Sequence, residues 1–131
     1  MSKTRVLLAE DNLQILTYVR DFLATNSCEI VGVATDGQAA VDAAARLQPE
    51  VVVLDLSMPV LNGIEAAKRI LEGKPSTRIV FLTVEKDADT CRAALEAGAT
   101  AYVLKPRLTT DLIPAIKLAK EGRRFVSSGC E

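Results

Sequence analysis

The chain of 131 residues contains no histidine. It therefore cannot build a Ser-His-Asp triad, use an imidazole as general acid or base, or bind zinc through histidine. It has only three cysteines, Cys28, Cys91 and Cys130, and none of them belongs to a C-x-x-C pair. This odd number and spacing indicate neither a disulfide framework nor a zinc site. Carboxylates, hydroxyls and lysines are what remain for any chemistry.

Long hydrophobic runs and an excess of charge are also lacking. No apolar run approaches the roughly 18 residues of a membrane span, and no basic-then-apolar leader precedes the first strand. The formal net charge of -1 gives no general attraction to nucleic acid or to membranes. Together with thiols that we expect to be reduced, these features predict a cytoplasmic protein without a membrane partner.

One apolar run that ends at a carboxylate stands out in the middle of the chain. Residues 51–54 are four consecutive apolar residues, three of them β-branched, which is typical of a strand buried on both faces of a parallel sheet. Asp55 follows at once, and Pro59 cannot continue a strand ladder. We therefore expect Asp55 at the carboxyl edge of a sheet, where open α/β folds bind ligands.

Short strands and amphipathic helices alternate five times along the chain. This alternation predicts an α/β fold with a doubly wound, five-stranded parallel sheet and five helices. The last helix is expected from Thr109 or Thr110 to Lys120, with Pro114 close to its first turn. The predicted strands β1 to β5 cover residues 5–9, 29–34, 51–54, 78–82 and 101–104.

The predicted domain covers residues 1–122. Residues 123–131 are too few for a domain, and we interpret them as the start of a linker or a C-terminal tail of a longer protein. The flavodoxin-like strand order 2-1-3-4-5 suits five strands of this kind and places β1 beside β3. The residues that follow these two strands should therefore share one crevice.

Three carboxylates follow these neighbouring strands. Glu10 and Asp11 come after β1, and Asp55 comes after β3. Carboxylates that converge in one crevice repel each other unless a cation lies among them, and oxygen ligands with room for water suit Mg²⁺. The predicted topology therefore indicates a magnesium site at this edge of the sheet.

Two further polar residues follow the next strands. Thr83 comes after β4 and offers a hydroxyl, and Lys105 comes after β5 with a side chain long enough to reach back toward Asp55. A nucleophile, a cation and donors that stabilise added negative charge are the parts that phosphoryl transfer to a carboxylate requires.

These residues carry a family resemblance. From about Thr4 to Gly122 the chain resembles the receiver (phosphoacceptor) domain of two-component response regulators, whose fold is flavodoxin-like or CheY-like. Residues 94–99 and 122–127 are most similar to the NarL/FixJ subfamily. The matching positions are Glu10 and Asp11 for the acidic pair, Asp55 for the phosphorylated aspartate, Thr83 for the switch hydroxyl, Tyr102 for the switch aromatic and Lys105 for the lysine.

The resemblance implies a signalling switch rather than an enzyme. A sensor histidine kinase would transfer a phosphoryl group to Asp55, and slow magnesium-dependent self-dephosphorylation would remove it. Thr83 would move to hydrogen-bond the phosphate, and Tyr102 would enter the vacated space. The output would be a population shift in the surface formed by the last two helices and β5.

The resemblance also assigns the ligands. Mg²⁺ would be bound by Glu10, Asp11, Asp55 and the backbone carbonyl of Ser57, and Lys105 would pair with a phosphoryl oxygen. In the family, the peptide bond before the proline that follows this lysine is usually cis, so a cis bond is expected before Pro106.

Val84 departs from the commoner family pattern, which has a smaller residue after the switch hydroxyl. Its methyl groups should crowd access to the phosphate and slow exchange with small phosphodonors and with water. Ser57 and Glu85 flank the same site and should also tune hydrolysis.

The resemblance extends to partners that these residues do not themselves contain. Receivers of this subfamily usually precede a DNA-binding domain, so the longer protein is expected to regulate transcription and to contact DNA only through that output domain. Dimerisation through a helix face is compatible with the resemblance, and no surface is assigned to it.

Other interpretations compete with this one. Taken separately, Asp55 could be a helix or turn cap, Glu10 and Asp11 could be favourable charges at a helix N-terminus, and Asp11 or Asn12 could cap that helix. Thr83 could be a strand-end hydroxyl, Lys105 a solvated charge and Tyr102 a half-buried strand aromatic. A dehalogenase-like phosphatase would need a second carboxylate at the position of Ser57. A flavodoxin is disfavoured because Glu10 and Asp11 would repel the flavin phosphate. Nucleotide hydrolysis through a P-loop is not supported, because the sequence has no P-loop segment. The remaining alternative is a docking module of the same fold that does not depend on phosphorylation.

Overall fold

The computed structural model describes residues 3–130. In this part of the chain, five α-helices alternate with six strands that form one parallel sheet of order β2-β1-β3-β4-β5-β6. The elements are β1 Thr4–Ala9, α1 Leu13–Ala24, β2 Cys28–Ala34, α2 Gly37–Leu47, β3 Val51–Leu54, α3 Gly63–Gly73, β4 Arg78–Thr83, α4 Ala88–Glu96, β5 Ala101–Leu104, α5 Leu108–Lys120 and β6 Phe125–Val126.

The predicted doubly wound α/β fold is confirmed for the first five strands, and the predicted total of five strands is wrong. The sixth strand, β6, lies within residues 123–131 and pairs in parallel with β5 at Ala101 and Tyr102. A strand of two residues has no periodicity that a sequence pattern can reveal. Phe125 and Val126 form a strand because they pair with β5, and the sequence alone does not show that this side of β5 has room for a partner.

Helices cover both faces of the sheet. α1 and α5 pack on one face, and α2, α3 and α4 pack on the other. Alternate residues of β3 enter the two cores: Val51 and Val53 face α1 and α5, whereas Val52 and Leu54 face the other helices. Burial on both faces explains why this strand is a continuous apolar run.

Side chains cap the first four α-helices. Asn12, Asp36, Asn62 and Asp87 each accept a hydrogen bond from a backbone N–H of the following turn, which satisfies donors that a helix start leaves free. α5 has no such cap and instead continues from a short 3₁₀ turn at Lys105–Arg107. It begins at Leu108, earlier than the predicted Thr109 or Thr110, so Pro114 lies inside the helix.

The loop between β3 and α3 is folded tightly onto the end of β3. Gly63 donates its N–H to the carbonyl of Leu56 over 2.8 Å, and a Cβ at Gly63 would collide with the backbone carbonyl of Asp55. Only glycine allows this approach, because it has no Cβ. The loop is thereby held beside Asp55.

No helix within residues 3–130 has the length and apolar character needed to cross a membrane.

Candidate functional site

The site is built from residues that directly follow neighbouring strands. The backbone N–H of Glu10 donates to the carbonyl of Ala34 over 3.0 Å, and the N–H of Asp55 donates to the carbonyl of Ala9 over 3.1 Å. These bonds continue the β-ladder by one residue beyond the strands. The two carboxylates are therefore attached to rigid backbone at the same edge of the sheet, as the sequence predicts.

Glu10, Asp11 and Asp55 form one acidic cluster. A carboxylate oxygen of each lies within 4.8 Å of the others. Glu10 and Asp55 are 3% and 5% exposed, whereas Asp11 lies exposed at the rim. Two carboxylates are thus kept from solvent in close proximity, which is costly unless positive charge accompanies them.

Lys105 supplies part of that positive charge. Its Nζ lies 2.8 Å from Oε1 of Glu10 and 3.3 Å from Oδ2 of Asp55. Burial alone would lower the pKa of Lys105, but its contacts with Glu10 and Asp55 outweigh burial and raise the pKa above the usual range. The ammonium therefore remains protonated at neutral pH. The contact with Glu10 was not anticipated, since the sequence predicts only a reach toward Asp55.

Glu10 experiences opposing effects. Burial raises its pKa above the usual range, and the hydrogen bonds that it accepts from Lys105 and from the backbone N–H of Asn12 act in the opposite direction. The Asn12 bond measures 3.0 Å and goes to Oε2, so each oxygen of Glu10 has its own donor. Asn12 also caps α1, which ties the first helix to the acidic cluster.

The donor set of this cluster fits a divalent metal ion. The cluster has three carboxyl groups and one ammonium, and all the acidic ligands are hard oxygen donors, which Mg²⁺ prefers. The exposed position of Asp11 leaves space for the water ligands that Mg²⁺ retains. The backbone N–H of Ser57 is 3.4 Å from Oδ1 of Asp55, so the chain turns around the carboxylate at this position.

Thr83, Glu85 and Tyr102 form a hydrogen-bonded group beside the acidic cluster. Thr83 is buried, and its Oγ1 accepts from the backbone N–H of Glu85 over 3.2 Å. Tyr102 is fully buried and donates its hydroxyl proton to the carbonyl of Glu85 over 2.6 Å. Burial also raises the pKa of Tyr102 well above its usual value, so the phenol remains a donor.

Three of the predicted residues lie at the solvent-facing rim. Ser57, Val84 and Glu85 are exposed, with Val84 at 64%. Val84 lines a surface cavity of about 410 Å³ together with Lys105, Pro106, Tyr18 and other residues. Val84 and Lys105 therefore border the same cavity, and crowding by Val84 stays a prediction.

The prediction of a cis peptide bond before Pro106 is wrong, since the described chain contains no cis peptide bond. Pro106 lies in the first turn of the 3₁₀ helix that follows β5. A trans proline is suited to such a position, because its missing N–H has no partner there in any case.

Comparisons with known proteins agree with this geometry. The model of the response regulator receiver domain family matches residues 6–117. "Transcriptional regulatory protein PdtaR" of Mycobacterium tuberculosis is 44% identical over 124 residues, which are 95% of this chain and 60% of that protein. "Transcriptional regulatory protein LiaR" of Bacillus subtilis is 36% identical over 125 residues, which are 95% of this chain and 59% of that protein.

Solved structures show the same likeness. The crystal structure of a LuxR-family two-component response regulator from Aurantimonas sp. SI85-9A1 matches with a TM-score of 0.92 and 30% identity, covering 97% of this chain and 91% of that one. The chain spans 60% of the length of its relative PdtaR. The family model matches most of the chain, and the relatives and solved structures agree with it, so the chain belongs to the response regulator receiver domain family of two-component systems.

Proposed function

We propose that Asp55 accepts a phosphoryl group from a phosphohistidine of a sensor histidine kinase, and that the domain is a phosphorylation-dependent switch. The observation that carries this proposal is the setting of the Asp55 carboxylate, which is 5% exposed, lies beside two other carboxylates and contacts Lys105. A residue that only capped a turn would not need this environment. Because these 131 residues contain no histidine, the donor phosphohistidine lies outside them.

The transfer is a displacement at phosphorus. An oxygen of Asp55 supplies the electron pair for the new P–O bond, the P–N bond to the kinase imidazole breaks, and the imidazole leaves with that electron pair. Lys105 holds positive charge next to the attacking carboxylate throughout. Fixed positive charge that does not have to reorganise is an effective way to stabilise the phosphoryl oxygens.

The acidic cluster would hold Mg²⁺ through Glu10, Asp11, Asp55 and the backbone carbonyl of Ser57. When bound, the ion supplies positive charge that offsets the negative charge of the phosphoryl group. Glu10 has a second task that needs no metal: it holds the ammonium of Lys105 at 2.8 Å. The lysine is therefore oriented before any phosphoryl group arrives.

The switch would act through the chain segment that follows Thr83. The hydroxyl of Thr83 now accepts from Glu85, and we propose that it turns to donate to the phosphoryl group. Tyr102 already occupies the interior, so phosphorylation would act on the Glu85 segment to which its hydroxyl is tied. A shift there changes the surface formed by α4, β5 and α5.

The rim residues Ser57, Val84 and Glu85 would set how fast the phosphoryl group is gained and lost. The domain would be a phosphoacceptor rather than an enzyme, with slow magnesium-dependent self-dephosphorylation. Crowding by Val84 would make both reactions slower.

The wider setting is proposed from the relatives. Relatives such as PdtaR and LiaR are transcriptional regulatory proteins that are longer than this chain. We propose that residues 1–122 carry the phosphoacceptor switch, and that residues 123–131, whose strand β6 joins its sheet, lead on to an output domain that binds DNA. We also propose that the protein works in the cytoplasm. Homodimerisation would belong to the same response.

The test is incubation with acetyl phosphate and MgCl₂, followed by intact mass. We expect the mass of one phosphoryl group to be added to the wild type and to Asp42→Asn, which changes an exposed aspartate of α2. Asp55→Asn should gain none. A wild type that remains unmodified, even with a cognate kinase, would instead favour a docking module that does not depend on phosphorylation.

A further inference from the structure

The segment after α5 runs along the edge of the sheet toward Lys105. The N–H of Phe125 donates to the carbonyl of Thr100 over 3.3 Å, and the N–H of Ser127 donates to the carbonyl of Tyr102 over 2.9 Å. Beyond this point, β6 offers no further backbone partner to β5. The side chain of Ser127 takes over this role, because its Oγ accepts from the N–H of Leu104 over 3.1 Å.

Ser127 is also bonded to α5. Its hydroxyl donates to Oδ2 of Asp111 over 2.7 Å, and the two side chains are buried, at 3% and 7% exposure. The same carboxylate accepts from Nε of Arg107 over 2.9 Å and from the hydroxyl of Thr110 over 3.1 Å. A chain of bonds therefore connects Leu104, Ser127, Asp111 and Arg107.

This chain of bonds holds the chain on both sides of Lys105. Leu104 directly precedes the lysine, and Arg107 follows two residues later, so Lys105 and Pro106 lie between two anchored positions. Neither the 3₁₀ turn nor α5 has a side-chain cap, although the other four α-helices each have one. The Ser127–Asp111 bond is not a helix cap, since it joins two side chains, but it ties α5 to β6 beside the place where Lys105 leaves the sheet.

We infer that Ser127 and Asp111 are positioning residues for Lys105. This inference rests on the proposed function. The ammonium must meet both Glu10 and Asp55, at 2.8 Å and 3.3 Å, and small misplacements of a catalytic group strongly reduce rates. Ser127 belongs to residues 123–131, so this segment is bonded directly to the strand end that carries Lys105.

The variant Ser127→Ala tests this inference in the full chain. We expect the rate of phosphorylation by acetyl phosphate to fall roughly two- to tenfold, the range that corresponds to loss of one net hydrogen bond. Asp111→Asn replaces one accepting oxygen by an NH₂ group, which cannot accept, so it weakens the same chain of bonds from its other end and should act in the same direction. The matched control is Thr77→Ala. Thr77 is a buried hydroxyl residue just before β4, at the amino ends of the strands rather than at the carboxyl ends where Lys105 lies, so this substitution should leave the rate unchanged.

A purely structural role is separated by a double-mutant cycle with Lys105→Ala. If Ser127 acts through the lysine, Ser127→Ala should have no further effect on the rate once Lys105 is replaced. An equal loss in both backgrounds, or a loss with Thr77→Ala of the same size, would overturn the inference.

A second readout does not depend on phosphorylation. The NMR resonances of the Lys105 ε-methylene group should shift in Ser127→Ala and not in Thr77→Ala. If the wild type accepts phosphate and these resonances and the rate are both unchanged, the positioning role is wrong and the proposed function stands. If the wild type accepts no phosphoryl group, the proposed function fails. The positioning role is then judged by the resonances alone, and Lys105 resonances that are the same in Ser127→Ala as in the wild type would overturn it.

Discussion

Tyr102 donates its hydroxyl proton to the backbone carbonyl of Glu85 across 2.6 Å. The same Glu85 donates its N–H to Thr83, so one residue of an exposed loop contacts both members of the proposed switch. The ring of Tyr102 packs against Phe81 with ring centroids 6.3 Å apart. The hydroxyl and the ring therefore have separate tasks, which can be tested separately.

Tyr102→Phe keeps the ring and removes the hydroxyl. We expect the free energy of unfolding to fall by about 0.5–1.5 kcal/mol, the net contribution of one hydrogen bond, and the amides of residues 84 and 85 to exchange faster with solvent. Tyr18→Phe is the matched control, because Tyr18 is 52% exposed on α1. Urea unfolding measures both variants. Equal stabilities for the two would mean that the bond to Glu85 contributes nothing.

Val84→Ala removes methyl groups from the rim of the site. Because Val84 is 64% exposed, we expect almost no change in stability. We expect phosphorylation by acetyl phosphate and loss of the phosphoryl group both to become faster, by roughly two- to fivefold, which is under about 1 kcal/mol in each barrier. Time-resolved intact mass measures both rates. The same substitution at Val33, on the edge strand β2, serves as the control, and unchanged rates in Val84→Ala would reject the crowding hypothesis.

The sequence predicted much of the site because parallel strands all end at one edge of the sheet. Glu10, Asp55 and Lys105 each follow a strand that the apolar pattern reveals, and Thr83 ends one, so topology alone brings them to the same edge of the sheet. The distances between them depend on loop geometry, which explains why the contact between Lys105 and Glu10 and the trans bond before Pro106 were not anticipated.

The end of the chain could not be predicted in the same way. Phe125 and Val126 are too few to show a strand pattern, and Asp111 resembles an ordinary polar residue of a helix first turn. Its partner Ser127 is 16 residues away in sequence and meets it only because β6 pairs with β5. Tertiary contacts rather than local propensity order this segment.

Asp111→Asn should show a pH-dependent loss of stability. Burial alone would raise the pKa of Asp111, but hydrogen bonds from Arg107, Ser127 and Thr110 outweigh it and lower the pKa below its usual value. The folded state therefore binds the proton less readily than the unfolded chain. The stabilisation is fully present above the unfolded pKa of about 4 and is lost as the pH falls through the lower folded pKa.

We accordingly expect Asp111→Asn to lose about 1–3 kcal/mol near pH 7, as for a buried hydrogen bond to a charged group. The difference from the wild type should shrink as the pH falls from about 4 through the lower folded pKa, because the unfolded carboxylate binds its proton first and the folded carboxylate binds it only in more acid solution. Urea unfolding of the wild type and of Asp111→Asn at a series of pH values measures this difference in stability. Asp42→Asn, at an exposed position, should change the stability by less than about 0.5 kcal/mol near neutral pH. A difference at Asp111 that grows in acid would contradict the lowered pKa.

Val60 has a backbone conformation that β-branched residues rarely adopt. Its φ is 70°, and the N–H of Leu61 donates to the carbonyl of Pro59 over 2.8 Å, which defines a three-residue γ-turn centred on Val60. The side chain is 80% exposed, so no buried contact compensates for this conformation. The turn lies in the loop that connects Asp55 to α3.

Val60→Gly should therefore stabilise the protein. Strain of this kind costs about 1–3 kcal/mol, and glycine would relieve it. The greater freedom of glycine in the unfolded chain offsets about 0.5–1 kcal/mol of that relief, so we expect the free energy of unfolding to rise by about 0.5–2 kcal/mol. Val33→Gly is the matched control, because Val33 is also an exposed valine but has no positive φ; it should be destabilising. Thermal and urea unfolding measure both variants. If Val60→Gly loses as much stability as Val33→Gly, the turn at Val60 is not strained, and the loop beside Asp55 is held at no energetic cost.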